Sequence, residues 1–400
     1  MLTNSEIFKK LEEFKSVVFD SLEEVGDLDG TCKSLIQEYL TETELLNPMA
    51  IVKIQAIIDY MYEQVNIGNW KEVKLYLRKT ITIASYLLLL AKTKCTKEIT
   101  ECLVKDMYKV IDFGIMFGCP VDEEPDLLQK CASYLNSLGL LPHSTTEMSN
   151  QSEEIVNIDS NKYNAHVVEA IECPSMEHFY KNYIVAEKPV VLKNCINHWP
   201  ALTKWKDQNY FIKLAGPRTV SIEIGRDYTE AEWTQKLMTI EEFIKNFIFQ
   251  SNGSTGYLAQ YQLFEQIPEL KEDIIEPEYC CFSEKDDPVD VMAWYGPKGT
   301  ISPLHHDSKK NLLTQVVGEK QIFLFSPQDS EYLYPHDHEL LHNTSKVDPR
   351  HPDLLKYPKY KDAKVYYCVL SPGQMLYIPP KWWHFVESLS ISFSVSFWWN

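Results

Sequence analysis

The segment Thr300-Ile301-Ser302-Pro303-Leu304-His305-His306-Asp307 contains the pattern that decides the interpretation of the chain. Residues 311–325 behind it predict a strand hairpin, so the segment itself is expected to be a strand. Successive side chains of a strand point to opposite faces, so His305 and Asp307 share one face and His306 points to the other. An imidazole and a carboxylate on one face are two members of the 2-His-1-carboxylate triad, which holds Fe(II) and leaves coordination positions open.

The third member of the triad is expected to be His384, which lies in the apolar segment Ile378–Val386. Alone, a His-x-Asp triplet is a weak signal, because 11 histidines and 57 acidic residues make a chance occurrence plausible. The alternative is a hydrogen-bonded histidine on a half-exposed strand. Lys320 favours the functional interpretation, since it opens the second strand of the predicted hairpin and a buried lysine needs an anionic partner. A dicarboxylic co-substrate would supply that partner.

From about residue 165 to residue 400, the chain resembles the Jumonji C (JmjC) oxygenases. The resemblance is carried by residues 299–307, Asn311, Lys320, Tyr334-Pro-His-Asp337, Leu341-His-Asn-Thr-Ser345, Leu370-Ser-Pro-Gly373, Ile378-Pro379 and Ser392-Phe-Ser-Val-Ser-Phe-Trp-Trp399. It is strongest to animal members described as arginyl hydroxylase and peptidase, and also as histone lysine demethylase. The chain departs from the family at His306, where relatives usually have a neutral residue; this side chain is expected to face away from the metal.

The resemblance implies a set of cofactors and site residues. Fe(II), 2-oxoglutarate and O₂ are the expected cofactors, although Mn, Co or Zn would also suit the ligands. The implied metal-binding and catalytic residues are His305, Asp307 and His384. The implied 2-oxoglutarate-binding residues are Tyr257, Ser302, Asn311, Lys320 and Trp398. The implied substrate-binding residues are Glu223, Trp233, Gln260 and Trp294.

The implied reaction is hydroxylation of arginine at C3, with three alternatives. The same oxidant would demethylate a methyl-lysine, a divalent-metal peptidase would cut basic tails without O₂, and a non-catalytic barrel would only bind its partner. Glu223 and Trp233 favour arginine, because a carboxylate accepts two N–H bonds from a guanidinium and an indole stacks on its plane. A trimethylammonium group has no N–H to offer.

Composition restricts the kinds of partner and the cellular compartment expected for this protein. The formal net charge of −18 is unfavourable for nucleic-acid backbones and favours basic partners such as histone tails or Arg-rich ribosomal segments. The ten cysteines are scattered and form no C-x-x-C pair, which argues against a zinc ribbon or a disulfide scaffold and favours a reducing compartment, so we expect the nucleus or the cytoplasm. A role as a chromatin regulator is what the resemblance implies. The longest apolar run, Thr80–Ala91, has 12 residues, which is too short for a membrane span of roughly 20.

The periodicities predict an α+β protein with a domain change near residue 150. Residues 1–142 are expected to form an all-helical domain for structure or partner docking, 143–162 a flexible linker, and 163–400 a JmjC domain. Predicted helices are residues 35–46, 49–65, 70–92, 96–117, 125–138, 207–215 and 239–249. Predicted strands are 189–192, 219–224, 256–260, 289–295, 302–307, 311–317, 320–325, 365–370, 374–378, 385–388 and 391–398. Many short strands favour a jelly-roll, the cupin-like double-stranded β-helix that the resemblance also implies.

A second histidine motif, His338-Glu339-Leu340-Leu341-His342, spells the zinc-protease pattern H-E-x-x-H. That chemistry requires a helix and a third ligand. Pro335 lies just upstream and Asn343-Thr344-Ser345 just downstream, and nothing nearby is an obvious third ligand. A surface loop between barrel strands is therefore the preferred interpretation, for this motif and for His336-Asp337-His338.

Overall fold

The computed structural model describes residues 4–23, 30–40, 47–96, 98–141, 165–230, 232–250, 255–283, 287–338 and 341–400. The chain divides into two compact units. The first, here called the helical unit, comprises Met1–Ser144, Lys213–Val220 and Gln266–Pro268; the second, the two-sheet unit, comprises Thr145–Ile212, Ser221–Glu265 and Glu269–Asn400. The predicted linker, residues 143–162, lies outside the described residues, so the predicted domain boundaries remain predictions.

The helical unit is built around one buried helix. Its described helices are α1 (Asn4–Glu12), α2 (Lys15–Glu23), α3 (Gly30–Tyr39), α4 (Pro48–Val65), α5 (Leu75–Cys95), α6 (Glu101–Phe117) and α7 (Leu127–Ser137). Helix α5 packs against α1, α4 and α6. All of its residues from Lys79 to Ala91 are buried, as expected for a helix that is apolar on every side. Among the described residues, no helix has the length and apolar character needed to cross a bilayer.

Local polar groups set the helix starts. The side chain of Asn47 accepts a hydrogen bond from the Met49 N–H at 3.0 Å, and Thr100 accepts one from the Leu103 N–H at 3.2 Å. The predicted helix 70–92 is wrong at its beginning. Residues Trp70–Glu72 form a 3₁₀ turn, and the extended backbone of Val73 and Lys74 delays the α-helix to Leu75.

The two-sheet unit confirms the predicted double-sheet architecture. Its described strands are β1 (His166–Val167), β2 (Ala170–Glu172), β3 (Val190–Lys193), β4 (Thr219–Ile224), β5 (Thr234–Thr239), β6 (Gly256–Tyr261), β7 (Asp290–Gly296), β8 (Ile301–His306), β9 (Lys310–Val317), β10 (Lys320–Phe325), β11 (Tyr366–Leu370), β12 (Met375–Ile378), β13 (Trp383–Ser388) and β14 (Ser392–Trp399). A five-stranded sheet has the order β1-β11-β10-β13-β8. A nine-stranded sheet has the order β2-β3-β12-β9-β14-β7-β6-β4-β5.

The predicted hairpin over residues 311–325 is wrong in its pairing. Strand β9 pairs with β12 and β14, whereas β10 pairs with β11 and β13, so the two strands lie in different sheets. The chain crosses between the sheets at Gly318, which has φ +67°, and an added Cβ there would lie 1.9 Å from the Ile391 carbonyl oxygen. This crossing places Asn311 and Lys320 in opposite sheets.

Short helices connect the strands. They are α8 (Met176–Phe179), α9 (Ala201–Lys204), α10 (Gln208–Ala215), α11 (Ile240–Phe243), α12 (Leu263–Gln266) and α13 (Pro268–Lys271). Thr239 and Glu242 form a reciprocal capping box at the start of α11. The predicted helix 239–249 continues as a π-helical turn over Ile244–Ile248.

Most predicted strands agree with the structure within one or two residues, and β4 and β10 agree at both ends. Strands β1, β2 and β5 were not predicted. Their residues are mostly exposed, so they lack the apolar alternation by which a strand is identified from sequence.

Candidate active site

Two neighbouring strands bring His305 and His384 together. Strands β8 and β13 are antiparallel, and these two histidines are directly opposite each other in the register. Side chains of directly opposite residues lie on the same face of a sheet, and here the two ring centroids are 4.3 Å apart. A register irregularity follows between His384 and Val386. His384 lies 79 positions after His305 in the sequence, and strand pairing brings the two into one cross-strand contact.

Asp307 follows the last residue of β8 and completes the cluster. Its backbone carbonyl accepts a hydrogen bond from the Lys381 N–H at 2.7 Å, which fixes the turn. Its Oδ1 lies 3.8 Å from His305 Nε2, and its Oδ2 lies 3.6 Å from His384 Nε2. Oδ2 is buried and has no hydrogen-bond partner among the described residues. Within that part of the chain, these three residues form the one cluster with the spacing of metal ligands.

Backbone carbonyls set the tautomers of the two histidines. His305 Nδ1 lies 2.7 Å from the Pro303 carbonyl oxygen, and His384 Nδ1 lies 3.0 Å from that of Trp382. A carbonyl oxygen only accepts, so each Nδ1 carries the proton and each Nε2 lone pair faces Asp307. Burial, with a contribution from the neighbouring His305, lowers the pKa of His384 to about 4, so this imidazole is neutral at pH 7. The donor set fits Fe(II) or a similar divalent ion.

His306 faces away from this cluster, as predicted. Its ring packs edge-on against Trp383, with 4.6 Å between centroids. Burial lowers the pKa of His306. Strand alternation thus explains why His305 belongs to the cluster and the next residue, His306, does not.

A cavity adjoins the triad between the two sheets. Its empty volume is about 340 Å³, part of it open to solvent. The lining includes the triad and six of the residues predicted to bind co-substrate or substrate, namely Tyr257, Trp294, Ser302, Asn311, Lys320 and Trp398.

Lys320 supplies a buried positive charge to this cavity. Its side chain is 1% exposed, and Nζ donates a hydrogen bond to the Tyr257 hydroxyl at 3.1 Å. Burial lowers the pKa of Lys320 to about 7 and raises that of Tyr257. Among the described residues, no ion pair with Lys320 is present. An anion bound at this end of the cavity would restore the charged state of the lysine.

Two further polar atoms in the cavity have no hydrogen-bond partner in the described part of the chain. They are Asn311 Oδ1 and Trp398 Nε1, on residues directly opposite each other in strands β9 and β14. Buried polar atoms are normally paired, so unpaired ones at a cavity indicate a site for a polar ligand.

The predicted substrate residues do not all line the cavity. Glu223, Trp233 and Gln260 lie outside its lining, whereas Trp294 lies within it and donates its indole N–H to the Ser396 hydroxyl at 3.0 Å. Gln260 is exposed, has φ +47°, and lies at an irregularity of the β6–β7 pairing.

Glu223 and Trp233 contact each other. The Trp233 indole N–H donates to Glu223 Oε2 at 3.1 Å, and burial raises the pKa of Glu223. Glu223 is directly opposite Tyr257 in the β4–β6 pairing, which brings it next to the cavity. Because Trp233 donates to Oε2, the other carboxylate oxygen, Oε1, could accept a hydrogen bond from a second donor.

Sequence reasoning missed two polar residues of this region. Ser396 lines the cavity, and its position two residues before Trp398 on β14 was an available signal. Tyr228 lies in a loop that gave no signal. Its hydroxyl is 3.4 Å from Thr344 Oγ1, and burial, together with the charges of Asp227, Asp307 and Glu223, raises its pKa to about 12.

The H-E-x-x-H motif does not form a zinc-protease site in the described residues. Glu339 and Leu340 lie outside them. His338 lies in a bend and His342 in a turn, and neither belongs to a cluster of three metal-binding residues in the described part.

Comparison with known proteins gives consistent matches. The family profile described as a cupin-like domain matches residues 176–400. "Lysine-specific demethylase 8" of Xenopus tropicalis is 39% identical over 396 residues, covering 86% of this chain and 88% of the relative. "Jumonji C domain-containing protein 5" of Drosophila melanogaster is 39% identical over 358 residues, covering 87% and 86%. "Bifunctional peptidase and (3S)-lysyl hydroxylase JMJD7" of Homo sapiens is 29% identical over 261 residues, covering 57% and 82%.

Proposed function

The chain belongs to the cupin-like JmjC oxygenase family, and on that premise we propose that it hydroxylates C3 of arginine side chains in proteins, using Fe(II) and 2-oxoglutarate. Family membership agrees with the resemblance drawn from the motifs. The proposed metal ligands are His305, Asp307 and His384. When bound, iron with 2-oxoglutarate and O₂ supplies the oxidant that replaces a C–H hydrogen by a hydroxyl group.

In the proposed reaction, the protein binds and orients the reactants. Lys320 would hold the distal carboxylate of 2-oxoglutarate as a point charge, and Tyr257 would donate to the same group. Asn311, Ser302 and Trp398 would offer further polar contacts along the cavity. The apolar cavity walls would exclude water, which strengthens each of these contacts.

The surroundings of Glu223 are the observation that supports arginine as the substrate. Glu223 is a largely buried carboxylate beside the cavity, and its hydrogen-bond partner among the described residues is one neutral N–H, from Trp233. Burial of a carboxylate without a cation is unfavourable, and a guanidinium would offer two parallel N–H donors and a charge. A methyl-lysine would offer fewer N–H donors, or none when trimethylated.

Demethylation of methyl-lysine is the second candidate, because the Xenopus tropicalis relative is named a lysine-specific demethylase. Proteolysis is the third, because another relative is named as a peptidase as well as a hydroxylase. These reactions leave different products. Hydroxylation adds one oxygen to arginine, demethylation removes a methyl group from lysine, and hydrolysis proceeds without 2-oxoglutarate.

The decisive experiment is mass spectrometry of basic peptides after incubation with Fe(II), ascorbate and 2-oxoglutarate. The peptides should contain both arginine and methyl-lysine. We expect one added oxygen on arginine, with succinate formed in equal amount. Methyl loss from lysine, or cleavage that persists without 2-oxoglutarate, would replace the proposal by the corresponding alternative.

A pair of Glu223 variants tests the substrate pocket separately. Glu223→Gln keeps the size and an acceptor for Trp233 but removes the charge, and Glu223→Ala removes both. We expect both variants to lose arginine turnover while peptide-independent 2-oxoglutarate decay continues. Equal loss of both activities would show that Glu223 supports the fold instead of the substrate.

The proposed substrates are arginine-containing basic segments of histone tails, ribosomal proteins or chromatin-associated proteins. The formal net charge of −18 supports attraction of such segments over long distances. A role in the nucleus, the cytoplasm or both, and docking of a partner on the helical unit, are part of the same proposal.

A further inference from the structure

Two cysteines meet at one edge of the nine-stranded sheet. Strands β2 and β3 are parallel, with Glu172 opposite Lys193. Cys173 directly follows β2, and Cys195 lies two residues after the end of β3. The Cys173 N–H donates to the Lys193 carbonyl at 3.0 Å, so the two segments are held side by side where the cysteines occur.

The Lys193 carbonyl brings the two cysteines close together, because it accepts from the Cys173 N–H at 3.0 Å and from the Cys195 thiol at 3.3 Å. The Cys195 sulfur also lies 3.9 Å from the Tyr279 hydroxyl. Tyr279 in turn donates to the Pro174 carbonyl at 2.8 Å, which holds the segment that follows Cys173.

The two thiols differ in their access to solvent. Cys173 is exposed and Cys195 is half-buried. Burial raises the pKa of Cys195 to about 11, so this thiol stays protonated at neutral pH. The solvent-accessible Cys173 therefore meets an oxidant first, and Cys195 is placed to react with the product.

We propose that Cys173 and Cys195 form a peroxide-sensitive dithiol that closes reversibly into a disulfide. The Cys173 thiolate attacks hydrogen peroxide, which breaks the O–O bond and gives a sulfenic acid, and the leaving hydroxide takes up a proton to form water. The Cys195 sulfur then attacks the sulfenic sulfur, and the hydroxyl leaves with the Cys195 proton as a second water. Two thiols lose two electrons, and one peroxide gains them.

A disulfide at this site would link the edge of the sheet that contains the proposed active site. It would close the loop of residues 174–194, which contains α8 and β3. Strand β3 pairs with β12, and β12 pairs with β9, which carries Asn311. In a reducing compartment such disulfides are usually transient, so the link would report oxidant exposure and would not be a permanent brace.

The test is peptide mapping of the 400-residue chain treated with hydrogen peroxide in buffer without added iron. Free thiols are alkylated, and the protein is digested with trypsin without a reductant. Cys173 falls in peptide 163–181 and Cys195 in peptide 194–204, each as the sole cysteine. We expect these two peptides joined, with the loss of two hydrogens, and separated again by dithiothreitol.

Isotope labelling distinguishes a link within one chain from a link between chains. Equal amounts of ¹⁵N-labelled and unlabelled protein are mixed before oxidation. The proposal requires joined peptides that are both heavy or both light. Mixed pairs in statistical yield would overturn it, as would Cys173 recovered as sulfinic acid while Cys195 remains open to alkylation.

Single variants provide the matched control. Cys173→Ser and Cys195→Ser each leave one thiol of the pair, and the joined peptide should be absent from both. Closing the loop should raise the melting temperature of the oxidised protein by about 5 °C. An equal rise in peroxide-treated Cys195→Ser would show that oxidation acts elsewhere and would overturn the proposal.

Discussion

Asp112 in the helical unit and Lys320 in the two-sheet unit are both buried charged residues, and their surroundings differ. Asp112 Oδ1 accepts from Arg218 Nε at 2.8 Å and from Gln266 Nε2 at 2.7 Å, and Oδ2 accepts from the Thr219 N–H at 2.6 Å. Arg218 also donates to the Gln266 carbonyl at 2.9 Å. We call these four residues the Asp112 cluster; within it, charge and hydrogen bonding are satisfied by the protein.

The Lys320 cluster, which consists of Lys320, Tyr257, Asn311 and Trp398, is not satisfied in the same way. Lys320 has one hydrogen bond among the described residues, to a neutral hydroxyl, and Asn311 and Trp398 each keep a buried polar atom without a described partner. A saturated buried network stabilises a fold, whereas an unsaturated one costs stability and persists at sites that bind ligands. The comparison distinguishes buried polar groups that stabilise the fold, in the Asp112 cluster, from buried polar groups placed to bind a ligand, in the Lys320 cluster.

The largest effect is expected from Asp307→Ala. Loss of the single anionic member of the triad should lower oxidative turnover by more than about 100-fold, because Asp307 Oδ2 has no other described partner to satisfy. Turnover is measured as succinate formation, and the free energy of unfolding by urea titration. Asp337→Ala is the control, since that carboxylate is 98% exposed and lies outside the cavity. Full activity of Asp307→Ala would refute the triad.

The second-largest effect is expected on the free energy of unfolding, from a substitution in the Asp112 cluster. Asp112→Ala leaves Arg218 buried without its carboxylate, which should lower the free energy of unfolding by about 3–5 kcal/mol. Urea titration followed by circular dichroism measures this. Glu101→Ala, which breaks an exposed pair with Lys105, should change the unfolding free energy by less than about 1 kcal/mol. Similar losses in the two variants would contradict a special role for the buried cluster.

Lys320→Met should change the free energy of unfolding in the opposite direction from Asp112→Ala. Replacement of an unpaired buried ammonium by an apolar side chain of similar length should raise the free energy of unfolding of the ligand-free protein by about 1–3 kcal/mol. The same change should abolish stabilisation by 2-oxoglutarate in a thermal-shift assay. A destabilised Lys320→Met protein would mean that the lysine is structural, like Arg218.

The same lysine predicts a pH dependence. The pKa of Lys320 is about 7 in the folded protein and 10.5 in the unfolded chain. Between pH 7 and 10.5 the unfolded chain therefore binds more protons than the native one. The Lys320 contribution to stability therefore rises with pH across this window. The rise should be absent from urea titrations of Lys320→Met. Affinity for 2-oxoglutarate should fall above about pH 7, because the neutral amine does not attract the carboxylate.

The smallest effect distinguishes two tryptophans. Trp205 donates its indole N–H to Asp273 at 3.0 Å, whereas the Trp398 indole N–H has no partner among the described residues. Trp205→Phe should therefore lose about 1 kcal/mol more stability than Trp398→Phe. Trp398→Phe should instead weaken 2-oxoglutarate binding, by roughly tenfold if the N–H contributes about 1.4 kcal/mol. Unchanged binding would remove the proposed contact.

Much of this protein was predictable from sequence because its signals are local. Strand alternation placed His305 and Asp307 on one face and His306 on the other, and apolar periodicity predicted the buried helix around Thr80–Ala91. The family motifs predicted that Tyr257, Asn311, Lys320 and Trp398 share one site, and the structure brings all four to one cavity.

Tertiary structure alone decided the rest, because those features depend on pairing between distant segments. Residues 311–325 look like a hairpin, but hydrogen bonds to other strands send β9 and β10 to different sheets. The contact of Glu223 with Trp233 and the unpaired atoms of the cavity are properties of packing, not of spacing. The same holds for the Asp112 cluster and for the meeting of Cys173 with Cys195, which requires β2 to lie beside β3.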